Sequence, residues 1–519
     1  MQTDKSWLEQ PAAILAFICL LQLTMWTLAP GLTHWAPPLD VVESYLWGRE
    51  WVWATFKHPS FPGWALEASY LVTGATGWPA YLVSQIMVVA TFVLVFLIGR
   101  DLFGPNLRGS QLALAGVLLL TGVYYYSLPT PEFNHNVAQM PFYAAVTLAL
   151  WRAVTRGGLA WWIALGLVSA IGIQAKYSFG VLLAVAALWL VAEPRARRQL
   201  LGIGPWLALA IFLIGAAPQI RWLIESHFLP LAYAARRAGE GSTANPIGFL
   251  LAQIADHAGL FILAALAGLF APFWKARKLP LTFAGLDPFT SRFLVTFALG
   301  PALLSVALAL AARTGMKDMW GLPMFNLSGL LVVALLVDVF TESSLRRLAI
   351  GATVLLIVVP LGDAAVVLFG GSFARHPAGV NWPQVAMSRR FHNIWHAKVN
   401  GPLKIVAGDV WVAGLVALTA PDRPSIFTDG NPTLAPWITP ERLAREGALV
   451  VWREKGVASP PPKLLAALVG QAPQEEASFA WPDRVNRPPL RIGYSIIPPS
   501  ARVPADGSKL ISNASGTSN

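Results

Sequence analysis

The chain has 519 residues, of which 55% are hydrophobic and only 13% charged, and 22 of them are Trp. With a positive mean hydropathy, this excludes an ordinary soluble domain and points to an integral membrane protein. The net charge of +11 would suit nucleic acid, but the basic residues lie in short loops between apolar runs, not on one polar face, so no nucleic-acid partner is expected. The single Cys19 leaves no intrachain disulfide framework and no cysteine-based metal cluster.

A membrane span takes about 20 predominantly apolar residues, fewer where neighbours bury the helix. By that measure the sequence predicts about 11 transmembrane helices, near 11–32, 80–99, 111–128, 137–151, 159–175, 177–192, 202–220, 258–274, 293–312, 321–340 and 348–370. The first run follows Lys5 as a signal peptide would, but it is long and no small-residue cleavage site follows, so it reads as a retained anchor. Around Lys176 the pattern allows either two short helices joined by an Ala-Lys-Tyr-Ser turn or one long kinked helix.

Lys and Arg asymmetry in short loops sets the orientation. With a cytoplasmic N-terminus, the basic loops on the inner side are those with Arg100 and Arg108, Arg152 and Arg156, Arg195, Arg197 and Arg198, Lys275, Arg277 and Lys278, and Arg346 and Arg347. The first outer loop (33–79), the SLPTPEFNHN turn, Lys176, the 221–257 connection and the RTGMKDMWG segment then face outward, provided that Lys176 marks a hairpin. In a bacterium this places a multi-pass protein in the inner membrane, with its C-terminal domain in the periplasm.

The domain plan that follows is a transmembrane domain over 1–370, a small α/β domain over 371–498 and a disordered tail over 499–519. Within the α/β domain, PLKIVAGDVWVAGLVALTA reads as strand then helix, PSIFTDG as strand and turn, ITPERLAREG as a capped helix and ALVVWRE as another strand. The Asn513-Ala514-Ser515 triplet in the tail fits a glycosylation acceptor, but reads as a chance match.

The chemistry concentrates in the outward loops. Asp40 and Glu43 lie three apart, so a short helix would project both from one side. Such carboxylates serve as a general base, hold a divalent cation that neutralises a phosphate leaving group, or remain solvated loop acids. Downstream in the same loop come Trp47, Trp51, Trp53 and Phe56, then Lys57, His58 and Pro59. Interfacial aromatics are ordinary anchors. Sharing one loop with two acids and a Lys-His-Pro turn is not.

Glu132, Asn134, His135 and Asn136 form a polar turn that either contacts substrate or caps the next helix. Lys176, set between two apolar runs, is a candidate phosphate contact, since a charge at that depth is costly. Arg236 and Arg237 would clamp phosphate oxygens or form a solvated basic pair. Lys317 and Trp320 precede the run beginning Gly-Leu-Pro and complete the set of substrate-binding candidates.

The Asp40–Trp64 segment, followed by a transmembrane array and an α/β tail, resembles the GT-C superfamily of membrane glycosyltransferases. It is most similar to the bacterial branch related to the protein O-mannosyltransferases and the lipid A aminoarabinose transferase. In that branch an acid pair and aromatic residues precede a Tyr-Tyr-Lys/Asp-His-Pro-Pro-like turn, which here reads Thr55-Phe56-Lys57-His58-Pro59-Ser60. The FNHN turn (Phe133 to Asn136), the Lys176-Tyr177-Ser178 step and Trp320-Gly321-Leu322-Pro323 extend the resemblance over roughly 35–340.

The resemblance implies transfer of a sugar from a polyprenyl-phosphate donor to a lipid, glycan or protein acceptor, with inversion at the anomeric carbon. Asp40 would be the base or acceptor-positioning group, and Lys176 and Lys317 would stabilise the departing phosphate. The acids here are separated as Asp40-Val41-Val42-Glu43 where many relatives have them adjacent, and Phe56 and Ser60 replace residues often Tyr and Pro. Some relatives bind a divalent metal and others react without one; if this chain holds an ion, Asp40 and Glu43 are the candidate ligands. The competing classes are a lipid or sugar transporter, which predicts broken helices and mid-membrane polar groups in both halves, and a non-catalytic assembly subunit, which predicts that Asp40 is dispensable.

Overall fold

A computed structural model describes residues 7–239, 245–271, 283, 285–372, 377–453, 462–470, 472–482 and 487–500. The loop expected to carry Lys275, Arg277 and Lys278, and the tail from 501 with its Asn513 triplet, lie outside the described residues. The chain divides into two compact units, one drawn from Met1–Ala29, Lys57–Phe61 and Tyr81–Asp363, the other from Pro30–Phe56, Pro62–Ala80 and Ala364–Asn519.

The helices in chain order are α1 (Pro11–Thr33), α2 (Leu39–Arg49), α3 (Phe61–Thr73), α4 (Trp78–Phe103), α5 (Leu107–Leu120), α6 (His135–Thr155), α7 (Leu159–Ala175), α8 (Phe179–Ala192), α9 (Ile203–Glu225), α10 (Leu229–Gly239), α11 (Pro246–Asp256), α12 (Ala258–Leu266), α13 (Pro288–Ala311), α14 (Ser328–Leu335) and α15 (Glu342–Phe369). Among the described residues six helical stretches are long and apolar enough to cross a membrane, or seven if α8 and the sharply bent Pro194–Leu201 segment form one span. The chain is therefore a polytopic helical membrane protein. The apolar runs predicted from sequence fall largely on helices, but several are too short to span alone.

Those short helices are buried against neighbours. In α5, every residue from Gln111 to Leu120 is buried, and α5 packs on α14 so closely that a Cβ on Gly329 would lie 2.0 Å from the Gly116 carbonyl oxygen. Only glycine lets the two backbones meet there. The run expected at 258–274 starts earlier, at Pro246, because Asn245 caps α11 by accepting the Ile247 N–H and Pro at the first helical position needs no N–H partner. At Lys176 the chain forms two helices: α7 ends at Ala175, Lys176 is extended, and α8 starts at Phe179.

The second unit holds α2, most of α3, and the C-terminal elements α16 (Gln384–Lys398), β1 (Ile405–Gly408), α17 (Val412–Leu418), β2 (Ser425–Thr428), α18 (Pro440–Glu446), β3 (Ala448–Arg453), α19 (Lys463–Val469), β4 (Glu475–Phe479) and β5 (Leu490–Ile497). The sheet order is β2-β1-β3-β5-β4, with β1 parallel to β2 and β3, and β5 antiparallel to β3 and β4. Ile405, Phe427, Val450, Trp452 and Leu465 belong to one core cluster of this unit. The expected strand-helix-strand segments are present, and Thr439 caps α18 through the Arg442 N–H. The helix α16 and the β4–β5 pair went unread in the sequence.

Helix α2 is tied into this unit by Arg49, which donates to the Ala417 and Leu418 carbonyls at 3.0 and 2.6 Å and so satisfies the C-terminal end of α17. The α2 and α3 backbones meet at Gly48 and Gly63, where a Cβ on Gly48 would lie 2.2 Å from the Gly63 oxygen. Arg423 donates to both oxygens of the buried Glu67 on α3, at 2.7 and 2.8 Å.

Candidate active site

In the first unit, three polar segments line or support one cavity of about 480 Å³. Lys57, His58, Lys176 and Trp320 line it, together with apolar groups such as Val181, Leu231, Leu308 and Met324. Cationic groups share its walls with a broad hydrocarbon surface. This suits a ligand with an anionic head and a long apolar body.

The polar segments are held by the protein interior. Buried Gln22 donates to Gln85 at 2.8 Å, and Gln85 donates to Thr130 at 3.0 Å, anchoring the turn before α6. Asn134 caps α6, accepting the Asn136 and Val137 N–H groups, so the capping role weighed for this turn is present. The next two residues face the site region. His135 Nε2 lies 3.1 Å from the Pro59 oxygen with its ring 4.1 Å from that of His58, and Asn136 Oδ1 accepts from Lys176 Nζ at 2.6 Å.

Lys176 also sits 5.8 Å over the Trp320 ring. The segment carrying Trp320 is fixed by the Asp318 carbonyl, which accepts from Tyr125 Oη at 2.6 Å and Gln253 Nε2 at 3.1 Å.

Burial, then the neighbouring His135, Lys176 and Lys57, hold the His58 imidazole well below its usual range. At neutral pH it is therefore an uncharged hydrogen-bonding group, and the positive charge among these residues comes from the two lysines. Lys57 lies 5.5 Å and Arg236 5.6 Å from the Tyr233 ring, so two cations sit over one tyrosine of α10.

The structure thus gathers Lys57, His58, Lys176 and Trp320 at one cavity, sets His135 behind His58, and links Arg236 to Lys57 through Tyr233. Glu132, Arg237 and Lys317 do not line the cavity. Asn136, weighed only as part of the polar turn, holds Lys176, and Tyr233 was missed as a site residue, although it stands three positions before Arg236 on one helix face, a spacing that could have drawn attention to it.

Asp40 and Glu43 both lie on α2 in the second unit, one turn apart, as their spacing predicts. Asp40 is half-buried in the first turn, and Glu43 is only 3% exposed, so it is not a solvated loop acid. Among the described residues, Asp40 and Glu43 belong to no group of three or more His, Cys, Asp or Glu side chains close enough to share an ion.

This fold, a helical array with a C-terminal mixed sheet, is matched in solved proteins. The fold is similar to crystal structures of ArnT from Cupriavidus metallidurans, one bound to undecaprenyl phosphate (TM-score 0.59, 13% identity, 92% of this chain and 97% of that one) and one in the apo state (TM-score 0.54, 14% identity, 93% and 98%). Residues 57–222 match the dolichyl-phosphate-mannose-protein mannosyltransferase family model.

Two relatives from Rhizobium johnstonii are similar over most of their length. The lipopolysaccharide core galacturonosyltransferase RgtB is 25% identical over 463 residues, covering 86% of this chain and 87% of its own, and RgtA is 23% identical over 489 residues, covering 89% and 93%. Together these findings support the resemblance of the chain to the GT-C superfamily of membrane glycosyltransferases.

Proposed function

We propose that the protein transfers a sugar from a polyprenyl-phosphate donor to an envelope glycolipid at the periplasmic face of the bacterial inner membrane. The observation that carries this reading is the cavity that combines Lys57 and Lys176 with a long apolar wall. Such a cavity suits the phosphate and the isoprenoid of one ligand, and ArnT has been crystallised with undecaprenyl phosphate. The names of the two Rhizobium relatives make galacturonic acid the first sugar, and lipopolysaccharide core the first acceptor, to test.

In the proposed reaction an acceptor hydroxyl attacks the anomeric carbon while the bond from that carbon to the phosphate oxygen breaks. The hydroxyl proton passes to Asp40, a role that rests on its place in the acid-bearing loop. The charge that grows on the departing phosphate is met by Lys57 and Lys176. Neutral His58 offers a directed hydrogen bond without adding charge.

The test compares envelope glycolipids by mass spectrometry from a deletion strain carrying wild-type protein, Asp40→Asn or no protein, at equal membrane abundance. A single sugar mass increment should vanish in the deletion and return only with wild type, and its mass names the sugar. Full restoration by Asp40→Asn removes Asp40 from the chemistry; an unchanged glycolipid profile in the deletion rejects the glycolipid acceptor.

A further inference from the structure

The second unit contains a cluster that the transfer reaction does not use. His392 and His396 stand four apart on α16, so they share one face of the helix, and their rings lie 4.4 Å apart. Asp422 reaches the same point from the turn that precedes β2. Its Oδ2 is 2.8 Å from His396 Nε2 and 3.5 Å from His392 Nδ1. One potential ligand atom from each of the three residues lies within 4.8 Å of the others.

We propose that His392, His396 and Asp422 form a binding site for one divalent transition-metal ion, with Zn2+ the best fit. Tetrahedral zinc takes nitrogen and oxygen ligands at about 2.0–2.2 Å, which sets neighbouring ligand atoms roughly 3.3 Å apart. The observed 2.8 and 3.5 Å bracket that spacing, and with the imidazole nitrogens within 4.8 Å of each other, side-chain rotation would bring the three atoms onto one ion.

Two further features separate this cluster from a chance surface contact. His392 Nδ1 is buried and makes no hydrogen bond among the described residues, a costly state that a metal bond would relieve. Asp422 Oδ2 also accepts the Leu403 backbone N–H at 2.8 Å, an outer contact of the kind that orients a ligating carboxylate. His396 is exposed and the other two are half-buried, so an ion can enter and a water can complete its coordination. Two imidazoles favour zinc and its first-row neighbours over Mg2+ or Ca2+, which prefer all-oxygen sites. A bound ion would staple α16 to the turn before β2.

The test uses the full-length protein in detergent, purified through a tag without histidines and stripped with chelator. Calorimetric titration with ZnCl2 should show one ion per chain with Kd below about 10 µM, and no binding of MgCl2 under the same conditions. The His392→Gln/His396→Gln double variant should lose that binding, and Asp422→Asn should weaken it at least tenfold.

Loading the wild type with Co2+ gives a readout independent of how the variants fold: visible d–d bands of tetrahedral intensity are expected. Wild type that takes up no stoichiometric Zn2+, a folded double variant that binds as tightly as wild type, or a Co2+ spectrum no different from the hydrated ion would each overturn the proposal.

Discussion

Lys176 is placed to act on charge. Its ammonium lines the cavity, donates to Asn136 and sits over Trp320, so its position is set before any ligand arrives. Fixed charge of this kind favours the transition state more than the ground state, because the phosphate gains charge as it leaves. Lys176→Met should therefore lower kcat by about 100-fold or more with a smaller change in KM, measured by sugar transfer in membranes matched for protein abundance.

His58 makes a different prediction. Its folded-state pKa is held well below the usual value of 6.5, so between the two values the unfolded chain binds a proton that the folded chain excludes. Stability is then intact above pH 6.5 and is lost as pH falls toward the folded pKa. The melting temperature of wild type should drop on acidification through this window, and His58→Asn should drop less. Equal slopes in the two pH series would remove His58 as the source. The pairing of His58 with His135 was not legible in the sequence, because 76 residues separate Pro59 from His135 and only packing joins them.

Among elements, the helical hairpin of α2 and α3 depends on contact that its sequence barely advertises. The close approach at Gly48 leaves no room for a methyl group against the Gly63 carbonyl. Gly48→Ala should force the backbones apart and destabilise the protein by about 1–3 kcal/mol, read as a lower melting temperature in detergent. The Glu67–Arg423 pair binds α3 to the turn before β2 within the same unit. Arg423→Ala leaves a carboxylate that is 4% exposed without its cation, at a cost of about 3 kcal/mol, whereas Arg423→Lys should recover part of it. Element type was largely readable: hydrophobic length marked the spans, short runs bounded by turn residues marked β1 to β3, which are buried almost throughout, and Thr439 marked a helix start. α16 was not, because QVAMSRRFHNIWHAK mixes charge into an amphipathic pattern with no strong cap.

At the scale of the whole molecule, orientation remains a consequence of charge distribution, and the proposal puts the end of α15 outside. A reporter fused after residue 370 should be active as an alkaline phosphatase and silent as a cytoplasmic fluorescent protein. The reverse pattern would invert the proposed topology and with it the side on which transfer takes place. The two-helix arrangement at Lys176 supplies the turn on which that parity depends.

The sequence by itself determined that this is a polytopic membrane protein with an acid-bearing loop and a small α/β tail, because hydrophobic run length and turn residues are local properties of the chain. It also named Lys57, His58, Lys176 and Trp320 singly, since polar residues stand out among apolar runs. Only the tertiary structure decided that these four line one cavity, that Asn134 caps a helix while Asn136 holds Lys176, and that Glu43 is buried. Those facts depend on which distant backbones can approach closely, at glycine pairs and buried glutamine networks, and such contacts leave almost no trace in local periodicity.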